Sequence, residues 1–236
     1  MKLNTLTLTA AAALATAPLA IAGDVSGKIT LKGTPPPGPE MPMKADQFCG
    51  KSITENPRMP FYVVAADGGL ADSVVVLKNV SGKSTGPTAP SHLIDQVSCQ
   101  YTPYVSAVQT GQKIAVRNSD PFLHNVHPIP AVPGNPEANK AQIAKSPDLI
   151  FTFEKPEPFL KFKCDVHGWM FAYVSVVDHP YFAVTGKDGK FTIKGVPDGK
   201  YTVEAKHRKA AFEGVTKDIE VKGGNVTGVD FTFEVK

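Results

Sequence analysis

Short apolar runs cut by Gly and Pro recur along this chain, and no long amphipathic helical stripe interrupts them. The runs at residues 25–31, 61–65, 73–77, 113–118, 150–153, 160–164 and 171–177 are bounded by turn residues, the pattern of strands. The one helical candidate of note is residues 136–144, short and polar, inside a Pro-rich excursion after His127 that reads as a surface loop. Many short strands with turn signals between them predict an all-β chain, folded as a sandwich or barrel of antiparallel sheets.

After Asp178 the texture changes to regular hairpins. Strand-like residues 181–185 and 191–193 flank a Lys187-Asp188-Gly189 turn, and a Val196-Pro197-Asp198-Gly199 turn leads into residues 201–205. Phe231, Phe233 and Val235 alternate with Thr232, Glu234 and Lys236, which describes a half-buried closing strand. A chain of 236 residues is long enough for two cores. The division predicted is a leader at 1–22, a first domain at 23–178 and a smaller β domain at 179–236, with residues 23–33 able to pair with either.

The leader follows from Met1-Lys2 and an Ala-rich apolar run ending in Ala20-Ile21-Ala22, the composition of a secretory signal. Cleavage after Ala22 leaves Gly23 first, and no Cys there invites lipid attachment. No later segment has the roughly 18 consecutive apolar residues of a membrane span. The expected address is the periplasm or an equivalent extracytoplasmic space. Lys and Arg exceed Asp and Glu by only 25 to 22 and are spread along the chain, which gives no nucleic-acid footprint. Lys206-His207-Arg208-Lys209 reads as a solvated strand end.

An exported chain with Cys49, Cys99 and Cys164 has an odd thiol. Cys164 lies in Cys164-Asp165-Val166-His167-Gly168-Trp169-Met170 among other metal-binding residue types, whereas Cys49 and Cys99 have no such company. The pairing expected is therefore Cys49 with Cys99, three separate buried thiols being the alternative. A thiolate, an imidazole and a thioether spaced three apart beyond a strand end can meet on one small ion. Two imidazoles, one thiolate and a weak axial thioether suit copper in a trigonal site. The second imidazole is assigned to His124, which lies just beyond the strand at 113–118. A structural zinc site is the competing reading, but zinc seldom uses Met. His92, His127, His179 and His207 are scattered and are read as structural or surface residues.

The two loops resemble those of the cupredoxins, in particular the plastocyanin and amicyanin group: His124-Asn125-Val126-His127 upstream, and Phe162 through Met170 downstream. The resemblance implies a Greek-key β-sandwich with one type 1 (blue) copper held by His124, Cys164 and His167, with Met170 axial. It implies Asn125 as the residue hydrogen-bonding the loops together, His127 as a neighbour that is not a ligand, and single-electron transfer with a redox partner such as a cytochrome or a dehydrogenase. No catalytic residue is assigned. Two other readings stay open: a copper-carrying or surface-binding module, and a copper-dependent oxidoreductase. Trp169, inside the ligand loop, can shield the ion or displace Met170. The C-terminal hairpins are similar to the carboxypeptidase regulatory-like family, through Asp188-Gly189-Lys190-Phe191 and Pro197-Asp198-Gly199-Lys200-Tyr201.

Overall fold

Gly- and Pro-punctuated apolar runs fold as strands: in the computed structural model, which describes residues 22–80 and 83–235, the chain is all-β, with three short 3-10 turns and no α-helix among the described residues. The proposed leader and its cleavage site lie at or beyond the edge of the described residues. The strands in chain order are β1 (Ala22–Lys32), β2 (Ser73–Lys78), β3 (His92–Val97), β4 (Gln100–Thr102), β5 (Val105–Gln109), β6 (Ile114–Asn118), β7 (His124–Ile129) and β8 (Lys140–Gln142). They continue with β9 (Leu149–Phe151), β10 (Glu157–Lys163), β11 (Phe171–Val177), β12 (Phe182–Val184), β13 (Lys190–Pro197), β14 (Gly199–His207), β15 (Ala211–Val221) and β16 (Phe231–Glu234).

Four sheets form two β-sandwiches. One places the five strands β5-β11-β10-β7-β8 against the four strands β4-β3-β6-β9, around a core that includes Ile94, Ile114, Val116, Phe153, Leu160, Phe162 and Val174. The other places β13-β1-β16 against β12-β2-β14-β15, around Val25, Ile29, Val75, Leu77, Ile193, Val203 and Phe233. Side chains alternate across each strand, so each core is built from every second residue.

The run Ser73-Val74-Val75-Val76-Leu77 has apolar residues on both faces for a structural reason. Val75 and Leu77 enter the second core, while Val74 and Val76 pack with Val105, Phe159 and Tyr173 of the first sandwich. A strand covered on both faces reads as a continuous apolar run. The chain order is thus not the sheet order: β2 is hydrogen-bonded to β12 and β14, and β1 to β13 and β16. Residues 23–33 therefore pair with the C-terminal strands, and residues 73–78, assigned by sequence to the first domain, belong to the C-terminal sheets as well.

Two local expectations are corrected. Residues 136–144 form no helix; they carry β8, which pairs with β7 at His124↔Gln142 and Asn125↔Ala141. The segment lacks an apolar helical stripe. Its inward residue is Gln142, whose amide donates to the Val116 carbonyl and accepts from Gln96. Residues 61–65 form no strand either, making only the isolated bridge Val64↔Leu70.

Candidate metal centre

Strand register brings the two loops together. β10 pairs with β7 at Lys163↔His127, and β10 pairs with β11 at Lys163↔Phe171. Residues 164–170 are therefore the loop of a β10–β11 hairpin lying at the start of β7, whose first residue is His124. The loop is closed by two backbone bonds, Cys164 N–H to Met170 O at 3.0 Å and Met170 N–H to His167 O at 2.9 Å. Asn125 Oδ1 accepts the N–H groups of Asp165 and Val166, and the Tyr101 hydroxyl reaches the carbonyls of Asn125 and Lys163.

Three donors converge inside this frame. His124 Nδ1 lies 3.0 Å from His167 Nδ1, and Cys164 Sγ lies 3.8 Å from His167 Nδ1. One ligand atom from each of the three falls within 4.8 Å of the others, and all three residues are buried. A sulfur about 2.3 Å and a nitrogen about 2.05 Å from one ion, subtending about 120°, lie about 3.8 Å apart. The spacing of Cys164 and His167 thus fits a trigonal arrangement. Met170 is buried at the end of the same loop, with 1% of its surface exposed.

The outer shell orients the rings. His124 Nε2 donates to Asp120 Oδ2 at 2.8 Å, which leaves the Nδ1 lone pair facing Cys164 and His167. Burial pushes the His124 pKa down, but the Asp120 bond and the Cys164 sulfur outweigh it and the net shift is upward. For His167, burial and the positive charge of His124 lower the pKa. Burial pushes the Cys164 thiol up, yet the His124 bond and the backbone N–H groups of Asn125, His167 and Val166 bring it below its ordinary value. The environment therefore favours the Cys164 thiolate and a neutral His167, two of the ligating forms, whereas His124 holds its proton more tightly and releases it when an ion binds.

Cys49 and Cys99 form a disulfide with Cα atoms 5.9 Å apart, and Cys164 is the free thiol. The bridge packs behind the site, with Cys49 Sγ 3.6 Å from His167 Nε2. The Trp169 ring lies 5.1 Å from that of His167, and its Nε1 donates to the Cys99 carbonyl at 3.1 Å; Met170 stays buried. His127 is held by Asp165 and Glu137 and is not among the converging donors. His179 bonds to the Leu77 carbonyl and His207 accepts from the N–H groups of Lys209 and Ala210, and neither is among the converging donors. Asp46 and Asp120 were not singled out in the sequence. Asp120 carried one usable signal, its position four residues before His124.

Residues 169–233 match the family model described as the β-sandwich domain of ER membrane protein complex subunit 7. The match spans little more than a quarter of the chain and excludes His124, Cys164 and His167. No curated protein matches the chain. Among solved structures, a Cu-containing nitrite reductase from Thermus scotoductus is 19% identical with a TM-score of 0.33, covering 41% of this chain and 25% of that one. This chain thus corresponds to about a quarter of the reductase's length. Two amicyanin variants in the Cu(I) form are 18% and 19% identical, each covering 43% of this chain and 97% of the other, again with a TM-score of 0.33. Likeness at that level carries no argument about function.

These findings correct the family and role expected from the two loops. The family model that matches is neither a cupredoxin nor a carboxypeptidase regulatory-like domain. With the cupredoxin assignment go the blue-copper electron-carrier role, the cytochrome or dehydrogenase partner and the specifically periplasmic address. The thirteen residues of ligand-loop pattern, at 124–127 and 162–170, reflect local donor chemistry and do not fix a family. The all-β fold class stands, and the described residues contain no helix long and apolar enough to cross a membrane.

Proposed function

We propose that this protein is an extracytoplasmic metal-binding subunit: one β-sandwich holds a copper ion through His124, Cys164 and His167, with Met170 beside them, and the other docks to a protein partner. The observation that carries the metal half is the convergence of two imidazole Nδ1 atoms and one sulfur, 3.0 and 3.8 Å apart, in a buried site. One thiolate with two imidazoles and a nearby thioether is a soft to borderline donor set that favours copper over calcium, magnesium or manganese. When bound, the ion supplies a positive charge that compensates the Cys164 thiolate. Asp120 keeps the His124 tautomer, Asn125 holds the loop, and Trp169 shields His167 from water.

The disulfide supports an oxidising, extracytoplasmic compartment. The docking half is supported by the family whose model matches residues 169–233, the β-sandwich domain of a subunit of a membrane protein complex. The metal test is a titration of the full chain with Cu(I), Cu(II) and Zn(II) against a chromophoric competitor. One tight equivalent of copper, weakened at least about 100-fold in Cys164→Ser, is the expected result; binding indifferent to Cys164 removes the reading. Native isolation of the tagged chain tests the docking half, which fails if only free monomer is recovered.

A further inference from the structure

Each imidazole of the centre turns its second nitrogen toward a separate donor set. His167 Nε2 lies 3.6 Å from Cys49 Sγ and 3.6 Å from Asp46 Oδ2. His124 Nε2 faces Asp120, and Cys99, Asp120 and His124 bring one ligand atom each within 4.8 Å, as do Asp46, Cys49 and His167. The sulfurs of both outer sets are the two halves of one disulfide. A thiolate is a strong metal ligand and a disulfide sulfur is not. The bond that ties residue 49 to residue 99 therefore also masks two donors.

We propose that opening the Cys49–Cys99 disulfide creates a second metal site behind the first, holding a zinc-like divalent ion through Cys49, Cys99, His167 Nε2 and Asp46. A sulfur about 2.3 Å and a nitrogen about 2.05 Å from a tetrahedral ion lie about 3.6 Å apart, which is the separation of Cys49 Sγ and His167 Nε2. Asp46 is already aimed: its Oδ1 accepts the N–H groups of Phe48 and Cys49 at 2.8 Å each, leaving Oδ2 toward His167. A cavity of about 490 Å³ lined by Met43, Phe48, Cys49, Cys99, Asp120 and Phe122 adjoins both cysteines. The role of His167 as a bridge between two ions rests on the inner centre proposed above; the outer donor set does not.

The chemistry balances with a dithiol as reductant. Its thiolate attacks one sulfur, the S–S bond breaks, and a second exchange releases the reductant as its own disulfide. Two electrons and two protons pass to Cys49 and Cys99. Binding of the divalent ion then displaces both thiol protons and the proton on His167 Nε2.

Native mass spectrometry of the full chain with Zn(II), before and after treatment with a dithiol removed anaerobically, tests the proposal. One ion in the oxidised chain and two in the reduced chain are expected, and reduced Cys49→Ser/Cys99→Ser returns to one. Asp46→Asn lowers the affinity of the second ion at least about tenfold and leaves the first unchanged. An unchanged count on reduction overturns the proposal while leaving the inner centre intact. No zinc before reduction and one after, dependent on Asp46, keeps the proposal and leaves the inner centre to the copper titration. A second ion that survives the double variant, or ignores Asp46 as it would in an unfolded chain, overturns it.

Discussion

Asp120 Oδ2 accepts from His124 Nε2 at 2.8 Å, and the same carboxylate accepts the N–H groups of Ser98 and Cys99 at 2.7 and 2.8 Å. One buried side chain thereby fixes a donor ring and the turn that carries half of the disulfide. Burial alone pushes the Asp120 pKa up, but the His124 bond and the two backbone N–H groups outweigh it and hold the carboxylate ionised. The β3–β4 hairpin and the candidate site are one hydrogen-bonded unit.

Asp120→Asn is predicted to weaken metal binding about 10- to 100-fold, because a neutral amide no longer favours the His124 tautomer that leaves Nδ1 free. Competition titration of wild type and variant reads the effect. Equal affinities would mean that the ring is oriented by packing alone, including its contact with Phe122, 5.2 Å between ring centroids.

Asn125 spans the two loops, accepting from Asp165 and Val166 while donating to Asn139 at 2.6 Å. Asn125→Ala leaves those two loop N–H groups without their acceptor, which costs about 1–3 kcal/mol for groups kept from water. Urea denaturation measures the loss. The metal affinity should fall too, since the position of Cys164 depends on the same loop; a stable variant with normal binding would place the tether elsewhere, with Tyr101 the next candidate.

Leu77→Ala tests the sheet order. Leu77 is 1% exposed and lies in the core shared with Ile29, Ile193 and Val203, so truncation should cost about 2–5 kcal/mol through lost burial and the cavity left behind. The destabilisation should appear in probes of the C-terminal sandwich, although residue 77 precedes most of the first sandwich in the chain. Exchange protection lost first around β13 and β14 would bear this out; loss confined to β6 and β10 would contradict the pairing.

The strands that were legible in the sequence are those whose apolar pattern agrees with their burial. β10, β11 and β16 alternate or run apolar as the pleat requires. β3 and β4 were not legible, because the two residues between them, Ser98 and Cys99, both take positive φ, at 53° and 55°, where the familiar signal is Asn-Gly. Asp120 holds that strained turn by accepting both N–H groups, a compensation invisible before the fold is known. The run at 73–77 announced burial but not the sandwich it completes, since a doubly covered strand has no preferred face. At the site, the spacing within Cys164–Met170 revealed the local donors, whereas Asp46 and Cys49 approach His167 from more than a hundred residues away. A motif of this length records chemistry at one strand end; it left the family of the whole chain undetermined.

His207 makes stability depend on pH. It is buried, it accepts the N–H groups of Lys209 and Ala210 through Nδ1, and burial together with Arg208 lowers its pKa from 6.5 to about 4. The unfolded chain therefore binds this proton more readily than the folded one, and stability falls as pH drops from about 6.5 toward about 4 and levels off below. A shift of this size corresponds to about 3 kcal/mol. Asp72, immediately before the Ser73 that pairs with His207, works in the opposite sense: burial raises its pKa from 3.8 to about 6, so its contribution is present at low pH and is lost as pH rises through that value. Wild type alone would show the two partly cancelling. The difference in unfolding free energy between wild type and His207→Gln, measured from pH 7 to pH 4, removes the Asp72 contribution and should decline by about 3 kcal/mol. A flat difference would mean that His207 charges in the folded state without cost, and that its contacts with Lys209 and Ala210 open on protonation.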